Sequence, residues 1–429
     1  MSSEAGNSSH DPTIAKAWKA AESGRLEEAD LLFEQACSGG AAGDAYNGRG
    51  AIAAKRGDLV RAAELFEQAC RRSPKEPLFH YQLGVAMLST GRPDAAIRAF
   101  EASVELDPEF GHGWFNLGAA RSHANQPDMA LDAFRRAASA SRPVEQAEIS
   151  IIATLRTVGR LEEAVTAARE AISKRDEYAA AWNELGLCLA TKGDLDTAIA
   201  CWDRVIELEP SFHEARFQRG VAAAMRGRLD EAERIYRDLL ARDPKHTRAR
   251  VNLAGLLTRR GDLGGAEREL TTAAPHAGPF AATVALAMAD LRLRQDRIVE
   301  AESIYREAIR LAPGDLRAQV GLIGALLAQD RAEPALAQIE RSEAAAPNEP
   351  IWNDCRAEAF FKLGRHEEAR KILDRAIASH GPAAVRLALL GRIHEALGDS
   401  TSALEAYDRA LGIDPNYEPA SEGRRRLGS

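Results

Sequence analysis

A glycine followed by a charged residue, with an alanine five positions after the glycine, recurs at a fixed interval along this chain. Gly57 leads to Ala62, Gly91 to Ala96, Gly159 to Ala164, Gly193 to Ala198, Gly227 to Ala232 and Gly261 to Ala266. Gly364 with Ala369 and Gly398 with Ala403 continue the series. Members lie 34 residues apart or multiples of 34, with one slip to 35 near residue 278, and Gly24 with Ala29 extends the series backwards by 33. Self-similarity at such a period overrides the length-based expectation of two or three globular domains for 429 residues.

Other landmarks hold the same phase. Four residues after the alanine stands a large apolar or aromatic residue: Phe33, Phe66, Phe100, Phe134, Trp202, Tyr236, Leu270, Tyr305, Ile339, Leu373 and Tyr407. Eight residues later comes a proline in many units, as at Pro74, Pro108, Pro210 and Pro313. A second glycine lies seven positions upstream of the turn at Gly50, Gly84, Gly118, Gly186, Gly220 and Gly391. Apolar spacings of three and four on both sides of the turn glycine predict two amphipathic helices per unit. The turn glycine breaks the first helix, Pro93 and Pro127 suit the first turn of the second, and the later proline stops it. The upstream glycine and the alanine have almost no side chain, so two helix backbones approach closely, and the large residue fills the space beside them.

These features resemble the tetratricopeptide repeat. Trp182, Leu185 and Gly186, followed by Gly193, Ala198, Trp202 and Pro210, match its period and its W-x2-LG pattern, as do Trp114, Leu117 and Gly118. The resemblance spans residues 10 to 417 and implies an all-α fold, a right-handed solenoid superhelix of about twelve antiparallel helix pairs. Residues 1–9 are expected to form a disordered tail, residues 10–278 units 1–8, residues 279–416 units 9–12, and residues 417–429 a capping helix and tail. Arg424, Arg425 and Arg426 suit the negative end of that helix. Ile152 and Ile323 stand where glycine is expected and should push their helix pairs apart. The stretch Ala273 to Phe280, with two prolines and a glycine, is expected to lengthen one turn and act as a flexible joint.

The resemblance places the first helix of each unit on the concave wall, with unit positions 2, 5, 9, 12 and 13 facing inward. Those positions carry Tyr81, Val85, Leu88, Phe115 and Phe217, an apolar wall suited to a partner, or alternatively to packing against the next helix. Further on, Arg248, Arg259, Arg294 and Arg317 make a basic strip for an acidic segment, unless glutamates on the same helices neutralise it. Polar residues at position 6, among them Gln82, Asn116, Glu184, Gln218 and Asn252, resemble incompletely the amide ladder of O-linked N-acetylglucosamine transferases, though asparagine is common there in any such repeat. No unit offers the Lys and Asn pair of the chaperone-tail carboxylate clamp.

Little points to chemistry. There is no P-loop, GxGxxG, GxSxG or HExxH, and no motif calls for a cofactor or a metal. His112 and His123 share a unit without a Cys or carboxylate companion. Five cysteines, none in a CxxC pair, fit a reducing cytoplasm better than a disulfide framework. A formal charge of -8 argues against nucleic acid as a partner. No apolar run is long enough for membrane insertion, and residues 1–11 lack a signal-peptide pattern. The Ala, Arg and Gly content points to a bacterial source with GC-rich DNA. The expected function is a non-catalytic scaffold binding a protein or peptide partner in its groove. A substrate-presenting or regulatory subunit of a separately encoded enzyme complex, and self-association into a scaffold, stand as alternatives.

Overall fold

The computed structural model describes residues 11–428, so the tail expected over residues 1–9 lies outside the described residues. Among the described residues there are 25 α-helices and two 3-10 turns. The chain divides into two compact units, up to Ala222 and from Ala223. The first unit pairs α1 (Pro12–Glu22) with α2 (Leu26–Ala36), α3 (Ala42–Lys55) with α4 (Leu59–Arg72), and α5 (Pro77–Ser89) with α6 (Pro93–Leu106). It continues with α7 (Gly111–His123) and α8 (Pro127–Ser139), α9 (Glu145–Thr157) and α10 (Leu161–Lys174), and α11 (Ala179–Thr191) and α12 (Leu195–Leu208). Helix α13 (His213–Met225) carries the boundary.

The second unit holds α14 (Leu229–Arg242), then α15 (Thr247–Arg260) against α16 (Leu263–Ala273), and α17 (Ala281–Arg294) against α18 (Ile298–Leu311). The pairs α19 (Leu316–Ala328) with α20 (Ala332–Ala345), α21 (Ile351–Lys362) with α22 (His366–His380), and α23 (Ala384–Ala396) with α24 (Ser400–Ile413) follow, and α25 (Glu418–Leu427) ends the chain. In both units consecutive first helices touch, α5 with α7 and α9 with α11, then α15 with α17, α17 with α19 and α19 with α21. Among the described residues, second helices meet no comparably close second helix. Each unit therefore crowds its first helices on one side, which forms a wall.

The turn inside each pair is built the same way throughout. The Gly57 N–H donates to the Ala54 carbonyl and the Asp58 N–H to the Ala53 carbonyl, each at 3.0 Å, and the same two bonds recur at every such turn. This closure needs a left-handed residue, supplied by Gly57 at φ 84°. Where the glycine is missing, Asn125 (φ 57°), Asp296 (φ 59°) and Asp330 (φ 56°) adopt the same conformation. They are the residue types that tolerate it best after glycine. Asn125→Gly is expected to stabilise the chain by less than about 1 kcal/mol, and a melting curve showing a fall in the thermal midpoint would contradict this account of the turn.

At most of these turns the residue after the left-handed position opens the second helix by one of two means. The carboxylates of Asp58, Asp194, Asp262 and Asp399 accept the backbone N–H three residues on. At other turns an arginine stands there and pairs with a glutamate three residues on, as Arg160 does with Glu163 and Arg365 with Glu368.

The core follows the repeat. All twelve phase alanines, from Ala29 to Ala403, are fully buried. A Cβ added at Gly50, Gly84 or Gly118 would fall 2.6 to 2.7 Å from the ring of Phe66, Phe100 or Phe134. These glycines are therefore sockets for the aromatic rings. At Ile152 the sizes are exchanged: the residue sixteen further on is Ala168, and both are fully buried in one cluster. At Ile323 no exchange occurs, since its counterpart is Ile339. The pairs α9/α10 and α19/α20 pack more sparsely than the glycine-bearing pairs α3/α4, α5/α6 and α7/α8, as an isoleucine in the socket dictates.

The tryptophan of the repeat has a second task. Trp114, Trp182 and Trp352 each donate from Nε1 to the carbonyl six residues upstream at 2.8 Å. Gln319 makes the equivalent bond to Pro313 at 2.6 Å and Arg250 to Pro244 at 2.8 Å. The segment Ala274 to Phe280 forms two 3-10 turns, with Ala277 buried beside Ala273 and Val284, and its His276 carbonyl accepts from Thr247 at 3.1 Å. At the other end, α25 buries Ala420 and Gly423 against Tyr407, and its last turn carries Arg424, Arg425 and Arg426.

Candidate functional site

In the first unit, α5 and α7 bring together Tyr81, Val85, Leu88, Phe115 and Asn116. The Tyr81 ring packs edge-on against Phe110 at 5.0 Å and tilted against Phe100 at 5.9 Å. Its hydroxyl accepts from Asn116 Nδ2 at 3.0 Å, which ties the two helices together. Burial pushes the Tyr81 hydroxyl above its usual range, with the Asn116 bond opposing. Phe115 leans on Phe134 at 5.6 Å. Tyr81, Leu88 and Phe115 are half-buried against the core, while Val85 is 40% exposed. Packing and display are thus combined in the same side chains. Phe217, by contrast, is 6% exposed and offers the wall almost nothing.

The polar residues at position 6 are mostly occupied within the chain. Asn116 serves Tyr81 and the His112 carbonyl, and Glu184 lies 3.3 Å from Arg156. Gln218 donates to Glu214 at 2.7 Å. Asn252 donates to the buried Tyr236 hydroxyl at 3.2 Å, and burial pushes that hydroxyl up to about 12. Asn116, Glu184 and Asn252 bind helices to one another more than they face outward as a ladder, while the Gln218 bond stays within α13.

In the second unit, α15, α17 and α19 enclose a cleft of about 290 Å³. Arg259, Arg294 and Arg317 come together around it, over a floor that includes Val251 and Leu286. Arg248 is not part of this lining; its guanidinium lies 5.7 Å from the Phe280 ring centre. Arg317 is largely exposed and reaches Asp290 at 3.3 Å. Asp290 also accepts from the Tyr305 hydroxyl at 2.6 Å, and burial together with that carboxylate pushes the Tyr305 hydroxyl far up. A second cleft of about 350 Å³ runs along α19, α21, α23 and α25. Its charges are paired: Arg386 lies 2.7 Å from Asp354, with both side chains mostly buried, and Arg392 lies 3.3 Å from Glu358. Sequence reasoning missed this cleft and the two helix glycines, Gly255 and Gly324, that line the clefts. The available signal was a glycine one position out of phase with the sockets.

Burial pushes the thiols of Cys70 and Cys355 up to about 12 and those of Cys188 and Cys201 up to about 11, so none is a thiolate nucleophile near neutral pH. Among the described residues no three His, Cys, Asp or Glu side chains converge as a metal would require. No helix among them is long and apolar enough to cross a membrane.

Tandem helix pairs closed by one turn type, with a wall of first helices, define a helical repeat solenoid in each unit. Two family models, both described as tetratricopeptide repeat, match residues 14–77, 154–200, 192–244 and 356–418, and residues 53–120, 223–291 and 292–357. The chain belongs to the tetratricopeptide repeat family. Its backbone is similar to a tetratricopeptide repeat protein from Parabacteroides merdae ATCC 43184, at 18% identity and TM-score 0.51, over 58% of this chain and 99% of that one. The Cut9 and Hcn1 hetero-tetramer of the APC/C matches at 13% identity and TM-score 0.48, over 96% of this chain and 95% of that one. Yeast Tom70 matches at 14% identity and TM-score 0.43, over 90% and 95%. No curated protein matches the chain.

Proposed function

We propose that this chain is a non-catalytic interaction scaffold, working in a reducing cytoplasm, that holds a protein or peptide partner against the first-helix wall of α5 and α7. The observation that carries the reading is Val85, exposed on α5 between Tyr81 and Leu88, which with Phe115 are half-buried against the core. Aromatic and aliphatic side chains held in place lose little freedom on binding, which is the property of interface anchors. Burial pushes up the thiols of Cys70, Cys188, Cys201 and Cys355, which supports a reading centred on the wall rather than on a cysteine nucleophile.

The test uses the full chain as bait in an extract of its native host. Val85→Asp places a charge at the most exposed of these residues, and should abolish capture of the protein that the unaltered chain retains. Helical circular dichroism should be unchanged. Capture that survives both Val85→Asp and the Tyr81→Ala, Phe115→Ala double variant would sink the proposal.

A further inference from the structure

Most glycines inside the first helices have a packing reason. At Gly48, Gly186, Gly321 and Gly391 an added Cβ would strike an aromatic ring at under 3 Å. Gly255 is different: a Cβ there meets nothing within 4 Å. A glycine in a helix interior is less stable than an alanine, and no neighbouring atom demands it here. What the missing side chain does is keep open the cleft that Gly255 lines together with Arg259, Arg294 and Arg317.

The charges point the same way. Arg260 is paired with Asp230 and Glu233, and Arg292 and Arg297 are paired with Glu267 and Glu300. Arg259 and Arg294, on the same helices but turned to the cleft, are exposed and make no ion pair among the described residues. Three guanidinium groups therefore surround an apolar floor in a chain of net charge -8. They stand on three successive first helices, and packed helices lie about 8–10 Å apart. One small anion cannot span such a row. An extended chain advances about 3.3 Å per residue, so carboxylates placed every third residue would meet one arginine each.

We propose that the cleft of α15, α17 and α19 is a subsite for an extended acidic peptide segment of a partner protein. The peptide backbone passes over Gly255, apolar side chains rest on Val251 and Leu286, and carboxylates are received by Arg259, Arg294 and Arg317. Arg317 exchanges Asp290 for the incoming carboxylate. The subsite rests on the reading of the first-helix wall as an interaction surface, but not on the α5 and α7 patch.

The test is fluorescence anisotropy with the full chain and a fluorescein-labelled peptide of three Glu-Ala-Leu repeats. Three Lys-Ala-Leu repeats and a labelled oligothymidylate serve as comparisons. The glutamate peptide should bind, the lysine peptide should not, and the affinity should fall as salt rises. Arg259→Glu with Arg294→Glu should weaken binding about tenfold or more, since each charge-assisted contact contributes on the order of 1 kcal/mol. Gly255→Leu should weaken it comparably while raising thermal stability, because leucine is the better helix former and the space is empty. Equal binding of both peptides, oligothymidylate binding as tightly as the glutamate peptide, or indifference to both variants would overturn the proposal. If Val85→Asp loses the captured partner but the glutamate peptide shows no charge-dependent binding, this subsite alone fails. If peptide binding behaves as expected while Val85→Asp changes nothing, the α5 and α7 patch alone fails.

Discussion

Gly50→Ile should disrupt the α3/α4 pair, and adding Phe66→Ala to the same chain should restore much of what is lost. A Cβ at Gly50 falls 2.7 Å from the Phe66 ring, which is itself 4% exposed and has no room to retreat. Overpacking of that kind costs roughly 3 kcal/mol or more when backbone must move. Phe66→Ala alone leaves a cavity and costs about 3–5 kcal/mol. The double variant reproduces what the chain already does at Ile152 and Ala168, where the large residue sits on the first helix and the small one on the second. Its loss should be smaller than the sum of the single losses by about 2 kcal/mol. Urea unfolding followed by circular dichroism measures the cycle, and simple additivity of the two substitutions would show that the socket account is wrong. Because each pair rests chiefly on its neighbours, amide exchange should report the damage in α1 to α6 and spare α9 to α12.

Gly423→Leu should release α25 and turn the end of the chain into an adhesive surface. Its Cβ would lie within the van der Waals envelope of the Tyr407 ring, which also fills the Gly391 socket. Tyr407, Leu387, Ala388 and Ala410 are each at most 2% exposed and share one apolar cluster with Ala420 of α25. Burying side chains of this size contributes about 1.5–3 kcal/mol each. Uncovered, they form the kind of contiguous apolar end that repeat proteins need a cap to hide. Light scattering should show a concentration-dependent rise in mass that the unaltered chain lacks, and exchange protection should vanish from α25. An unchanged mass with a protected α25 would mean that Gly423 is not what seats this helix.

The fold was legible because its determinants are local and repeated. Turn glycine, phase alanine and aromatic filler each satisfy a short-range demand, and repetition turns a weak signal into a strong one. Asn125, Asp296 and Asp330 were not legible as turn residues, since only the backbone conformation reveals that they stand in for glycine. The exchange of Ile152 with Ala168 was half visible: the misplaced isoleucine could be read, the compensating alanine could not. On the wall, sequence phase identifies which residues sit on the first helices but not how deeply each is seated. Phe217 and Val85 occupy comparable faces, and the structure leaves one 6% and the other 40% exposed. The arginines of α15, α17 and α19 were visible as a strip. That Asp290 engages Arg317, and that Gly255 hollows the floor, depend on side chains from different repeats meeting in space.

The two ways of opening the second helices give the joints of this chain different vulnerabilities. Hydrogen bonds to Thr197 and Ser402 hold the carboxyls of Asp194 and Asp399 below their usual range. A depressed carboxyl contributes its stabilisation above the unfolded-state value and loses it as pH falls through the folded-state value. Acid therefore loosens the turns at Asp194 and Asp399. The Arg160 and Glu163 joint, and that of Arg365 and Glu368, are exposed ion pairs that mobile ions screen. Acid also neutralises Glu163 and Glu368, whose carboxyls those arginines hold below their usual range, so acid loosens both kinds of joint while salt loosens only the ion-paired ones.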